Sequence, residues 1–66
     1  MPKKWMGDLV GLMHTHKISF QELADKLGVT NRYVSMILNG HREPAGAKER
    51  FCAAVRELVA AKNSST

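Results

Sequence analysis

Asn31, Arg32, Ser35, Met36 and Asn39 lie at spacings that, on a helix, form one hydrogen-bonding face with a single cation. An asparagine amide offers one donor edge and one acceptor, a guanidinium is a fork of donors, a hydroxyl does both, and a thioether is soft and apolar. Together these groups suit the base edges of a DNA major groove, where each base pair shows a distinct donor, acceptor and methyl pattern. Other chemistries find less support. His14 and His16 are two residues apart and point to different faces of a helix, His41 is in another segment, and no zinc-ligand spacing exists, so no metal or other cofactor is expected. Cys52, the one cysteine, lies in an apolar helical run, where an inert thiol is expected rather than a nucleophile. No nucleophile sits with a base, no carboxylates pair on one face and no phosphate loop is present, so the sequence does not read as an enzyme.

A helix that presents such a face must be held by something else. Residues 20–40, FQELADKLGVTNRYVSMILNG, read as two short helices and a tight corner. Ser19 with Glu22 makes a capping box for the first helix, and Leu23, Ala24 and Leu27 form its apolar stripe. Gly28 ends it, Val29 is expected to be a buried corner residue, and Thr30 caps the second helix. There Tyr33, Val34, Ile37 and Leu38 face inward or flank the core, and Asn39-Gly40 closes the turn. Helices of about eight residues are marginal alone, so both must pack on flanking helices.

Those flanking helices are legible. Trp5, Leu9, Leu12, Met13 and His16 repeat at a helical period, with Trp5 as a core anchor, although Gly7 and Gly11 weaken the helix unless they admit a close neighbour. Ile18 is expected to point inward. From Ala45 to about Lys62 a last helix carries Ala47, Phe51, Ala54, Val55 and Leu58 toward the core. A second stripe of Cys52, Val55 and Val59 either completes that core or forms a homodimer patch, and a dimer is favoured because a two-fold site needs a two-fold protein.

Composition limits the rest. Sixty-six residues make one domain, with Lys and Arg numbering 10 against 6 Asp and Glu, a net charge of +4 that suits a polyanion. The single cysteine and the absence of any apolar run near the ~20 residues of a membrane span fit a cytoplasmic protein without membrane contact. Lys3 and Lys4 belong to a short basic arm that either frays or lies on a phosphate backbone, and residues 63–66 are a polar tail. His41 and Arg42 follow the second helix of the pair where a DNA backbone would pass.

The pattern of residues 20–40 resembles the helix-turn-helix of the lambda-repressor/Cro-like family, the phage-repressor type of DNA-binding domain. Ala24 stands at the crossing of the helices, Gly28 in the turn, Val34 and Ile37 at buried positions, and Leu38-Asn39-Gly40 at the ending. The resemblance implies an all-α, compact four- to five-helix domain, with no sequence left for the usual short fifth helix. It implies double-stranded DNA binding on an approximately palindromic operator; 66 residues leave no room for a second, effector-sensing domain, so length adds the expectation of a Cro-like repressor with no small-molecule effector. Asn31, Arg32, Ser35 and Met36 become base readers; Gln21, Thr30, Tyr33, Asn39, His41, Arg42, Lys3 and Lys4 become backbone contacts. The alternative is a helix-turn-helix module that binds protein, as an antitoxin-like or accessory factor.

The sequence departs from the family at two places. Phe20 stands where a phosphate-contacting glutamine is common, with Gln21 and the helix-start amides as substitutes. Met13 and Leu38 align with positions where the family often has an arginine and a glutamate. Losing both charges together avoids a stranded buried charge, and the two side chains are expected to touch.

Overall fold

The computed structural model describes residues 3–64, which form four helices: α1 (Lys4–Thr15), α2 (Phe20–Leu27), α3 (Asn31–Leu38) and α4 (Ala47–Ser64). There is no strand and no fifth helix among the described residues. Helices α2 and α3 pack on each other; α2 also packs on α4, and α1 packs on both α3 and α4.

Local chemistry sets the helix boundaries. Ser19 Oγ accepts the Glu22 N–H at 3.0 Å while the Ser19 N–H reaches Glu22 Oε1 at 3.1 Å, the reciprocal box expected from the sequence. Thr30 Oγ1 likewise accepts the Tyr33 N–H at 3.0 Å and starts α3. Helices α1, α2 and α3 end alike: Ile18 donates to the Met13 carbonyl, Val29 to that of Ala24, and His41 to that of Met36, each six residues back counting both ends. Gly28 (φ 73°) and Gly40 (φ 82°) supply the left-handed residue for two of these turns, and Lys17 (φ 58°) supplies it for the first. α4 starts at Ala47 rather than Ala45 because Gly46 is itself left-handed, so the first helical bond runs from the Arg50 N–H to the Gly46 carbonyl.

One core joins the four helices. Met13, Ile18, Leu23, Ala24, Val34, Ile37, Leu38, Phe51 and Val55 are buried in it, and no polar or charged side chain is buried among the described residues. Met13 and Leu38, the positions of the absent charge pair, are 1% and 3% exposed within that core. Trp5 caps one end, half-buried, with its ring edge-on to Phe51 at a centroid distance of 6.4 Å. Val29 is half-buried at the corner rather than fully buried.

Three expectations change. Val55 is 0% exposed, an interior residue that leaves Cys52 and Val59, both half-buried, as what remains of the second stripe on α4. Lys3 and Lys4 are no loose arm: Lys3 precedes α1 and forms an ion pair with Glu43, while Lys4 opens the helix and pairs with Asp8 at 3.1 Å. Met1 and Pro2 lie outside the described residues. Gly7 and Gly11 admit no neighbour, since a Cβ at either position would meet nothing within 4 Å. Each glycine therefore only weakens α1, and Gly7→Ala and Gly11→Ala are each expected to stabilise the domain by about 0.5–1 kcal/mol. Thermal unfolding followed by circular dichroism checks this, and a lower midpoint for either variant would contradict it.

Two carboxylates tie distant segments. Glu43 accepts the Trp5 indole N–H at 3.2 Å besides pairing with Lys3, so the loop after α3 is fastened to the start of α1. Glu22 pairs with Lys62 at 3.2 Å and so fastens α2 to α4. Both pKa values lie below the ordinary glutamate value, that of Glu43 chiefly through the Lys3 hydrogen bond and that of Glu22 chiefly through the Ser19 backbone amide. A depressed carboxylate stabilises the fold above its unfolded-state pKa, and that contribution is lost as pH falls through the folded value. Stability should thus fall on acidification below the ordinary glutamate range, and less steeply in Glu22→Gln and Glu43→Gln. Equal slopes in melting-temperature profiles of wild type and both variants would sink this assignment.

Candidate nucleic-acid interface

The outward face of α3 is built by its own caps and by the core behind it. Val34, Ile37 and Leu38 turn fully inward, which fixes the helix about its axis and leaves Asn31 and Arg32 exposed on the first turn. Ser35 and Met36 are half-buried one turn on, so they flank the exposed face rather than lead it. Asn39 is exposed, and its Nδ2 donates to Ser35 Oγ at 3.0 Å, leaving the serine hydroxyl hydrogen available outward. Tyr33 is half-buried against the core, with its ring serving partly as packing.

Around this face stand the other polar groups. Thr30 Oγ1 accepts the cap hydrogen bond, yet its O–H can still donate to a phosphate oxygen. His41 and Arg42 are exposed immediately after α3, and neither Arg32 nor Arg42 makes an ion pair with a described residue. Gln21, on the first turn of α2, donates from Nε2 to Asp25 Oδ1 at 2.9 Å and accepts from Asn31 Nδ2 at 3.5 Å. Its amide is thus held between the two helices.

Phe20 is half-buried and packs on the core, so its position serves the scaffold and not a phosphate. At the start of α2 the capping box already uses the amides of Ser19 and Glu22, while those of Phe20 and Gln21 have no intrahelical acceptor. Lys3 and Lys4 are engaged in ion pairs, with Glu43 and Asp8 respectively.

Charge is distributed unevenly. Asp8, Glu22, Glu43 and Glu57 are in ion pairs, Glu57 with Lys26 at 3.2 Å. Between Asp25 and Glu43 the chain has no acidic residue, while Lys26, Arg32 and Arg42 lie there, so α3 itself carries no negative side chain; the nearest carboxylate on α2, Asp25, is bonded to Gln21. Lys17, which the motif gave no reason to single out, adds an exposed cation just ahead of α2, with no ion pair among the described residues. No group of three or more potential metal-ligating side chains gathers among the described residues. Nor is any helix there long and apolar enough to cross a membrane.

A family model described as Helix-turn-helix matches residues 16–48, which is half of the 66-residue chain and includes α2, the corner, α3 and the following loop. No curated protein and no solved structure matches the chain.

Proposed function

The chain belongs to the lambda-repressor/Cro-like helix-turn-helix family and is a DNA-binding domain; from that premise we propose that it reads a specific double-stranded sequence with α3 in the major groove and acts as a Cro-like transcriptional repressor. The observation that carries this proposal is the exposed first turn of α3, Asn31 and Arg32, with exposed Arg42 following the helix and no acid from residue 26 to 42. Asn31 suits an adenine edge and Arg32 the O6 and N7 of guanine, each contributing about 1–3 kcal/mol of discrimination. Ser35 and Met36 contact the flanking base edges. Thr30, Asn39, His41, Arg42 and the free amides at the start of α2 fix the register on phosphates. A homodimer that meets through Cys52 and Val59 on α4 places two α3 helices about 34–36 Å apart on an approximately palindromic operator. A protein-docking role is less well supported, since Phe20 and Met36, the apolar residues that suggested it, are both partly covered by the chain itself.

Selection of binding sites from random DNA tests the proposal, and enrichment of a two-fold sequence is the expected result. Arg32→Ala should relax base preference at one position per half-site. Arg42→Ala should weaken binding to all sequences alike and reduce the salt slope by about one. Failure to enrich any sequence, with binding equal on all DNA, would refute sequence-specific reading.

A further inference from the structure

We propose that Asp25, which accepts a hydrogen bond from Gln21, is a positioning residue that sets which hydrogen-bonding edge Asn31 presents to DNA. The inference rests on Asn31 being a base reader and concerns how its amide is oriented.

The orientation follows from what each group is able to do. An ionised carboxylate only accepts, so the 2.9 Å contact between Gln21 and Asp25 Oδ1 must be made by the Gln21 NH2 group. That sense turns Gln21 Oε1, an obligate acceptor, toward Asn31. Asn31 must then offer its own NH2 group, as it does over 3.5 Å, a long contact whose sense is dictated by the short one. A single carboxylate thus fixes the orientation of two amides in succession, across the corner from α2 to α3.

The consequence lies on the far edge of Asn31. With one N–H directed at Gln21, the remaining N–H and Oδ1 form a donor-acceptor pair directed outward. In the major groove adenine alone places a donor, its N6 amino group, beside an acceptor, N7; guanine shows two acceptors. If Gln21 were free to reverse, its NH2 group could hold Asn31 Oδ1 and leave the asparagine NH2 outward, an edge able to donate to guanine. The carboxylate excludes that alternative, so a residue without base contact biases the domain toward adenine. Gln21, taken from the sequence as a phosphate contact, is instead the link between Asp25 and the reader.

The test uses a reversal of roles. In Asp25→Asn the side chain can present either a donor or an acceptor, so Gln21 is free to turn. The expected result is that preference for adenine over guanine at the Asn31 position falls about tenfold, within the range of one bidentate base contact. Loss of a negative charge will raise affinity for all sequences together, so the ratio and not the affinity is the readout. In D25N/Q21E the carboxylate moves to position 21, where it accepts from Asn31 and from the amide now at position 25. Adenine preference should then return, at the net charge of the wild type. A role for Asp25 in helix stability alone gives no such rescue.

The free protein supplies a second readout. The Asn31 side-chain amide resonances should shift in Asp25→Asn and return toward wild type in D25N/Q21E. Unchanged resonances in Asp25→Asn, or undiminished adenine preference, would overturn the proposal. Absence of sequence-specific binding by the wild-type protein would instead defeat the base-reading function, while the amide resonances would still decide whether Asp25 orients Asn31.

Discussion

Leu38→Glu is expected to unfold the domain, and Met13→Arg to do nearly the same, while the two together should recover much of what either loses. Both residues are almost wholly buried, on α3 and α1, which pack against each other. Either charge alone would be stranded in a core without polar partners, at a cost of ~3–5 kcal/mol. A chain of 66 residues has about 3–10 kcal/mol of stability in total, so each single variant is near the limit of folding. If the side chains face each other as the family alignment implies, the double variant rebuilds an ion pair and should show a favourable coupling of about 1–3 kcal/mol. Urea denaturation of the four proteins measures that coupling. A double variant no better than the sum of its parts would mean that positions 13 and 38 do not meet.

Phe51→Ala should be comparably severe, with a loss of about 3–5 kcal/mol. Phe51 is 1% exposed, the largest side chain among those fully enclosed, and Trp5 packs edge-on against it. Truncation opens a cavity between α4 and the rest of the core and also removes an aromatic contact of about 0.5–1.5 kcal/mol. DNA binding should fall with it, because α3 has no independent means of holding its orientation. Phe51→Leu, which fills part of the volume, should keep a cooperative transition at a lower midpoint. If Phe51→Ala loses less than about 1 kcal/mol by chemical denaturation, the core can close around the gap and the packing account is wrong.

The parts of this fold that were legible in the sequence are those set by short-range chemistry. Ser19 with Glu22, Thr30, Gly28 and Asn39-Gly40 act on backbone groups within a few residues, so their identities locate the ends of α2 and α3. The inward positions Leu23, Ala24, Val34 and Ile37 follow from the same periodicity. What escaped depends on tertiary placement. Val55 lies on the boundary of two overlapping stripes of α4, and periodicity alone could not tell whether it faces the core or a partner. Glu43 reaches Lys3 and Trp5 across most of the chain, and nothing local marks such a contact. Gly7 and Gly11 suggested a close helix approach, but that side of α1 is open. The exposed polar face of α3, proposed to read bases, was visible as a set of residue types, whereas the hydrogen-bond chain from Asp25 through Gln21 to Asn31 needed the relative placement of α2 and α3.

The tie between Glu43 and the indole of Trp5 gives the protein an intrinsic optical reporter. Trp5 is the only tryptophan, and its N–H is bonded to the residue next to Arg42, on the loop that leaves α3. Indole emission depends on the polarity and hydrogen bonding around the ring, so a phosphate that draws Arg42 and shifts this loop changes the colour or intensity of the emitted light. If Arg42 meets a phosphate as proposed, association with DNA should change the emission of the unlabelled protein, and Glu43→Gln should separate the signal transmitted through the loop from that of DNA binding itself.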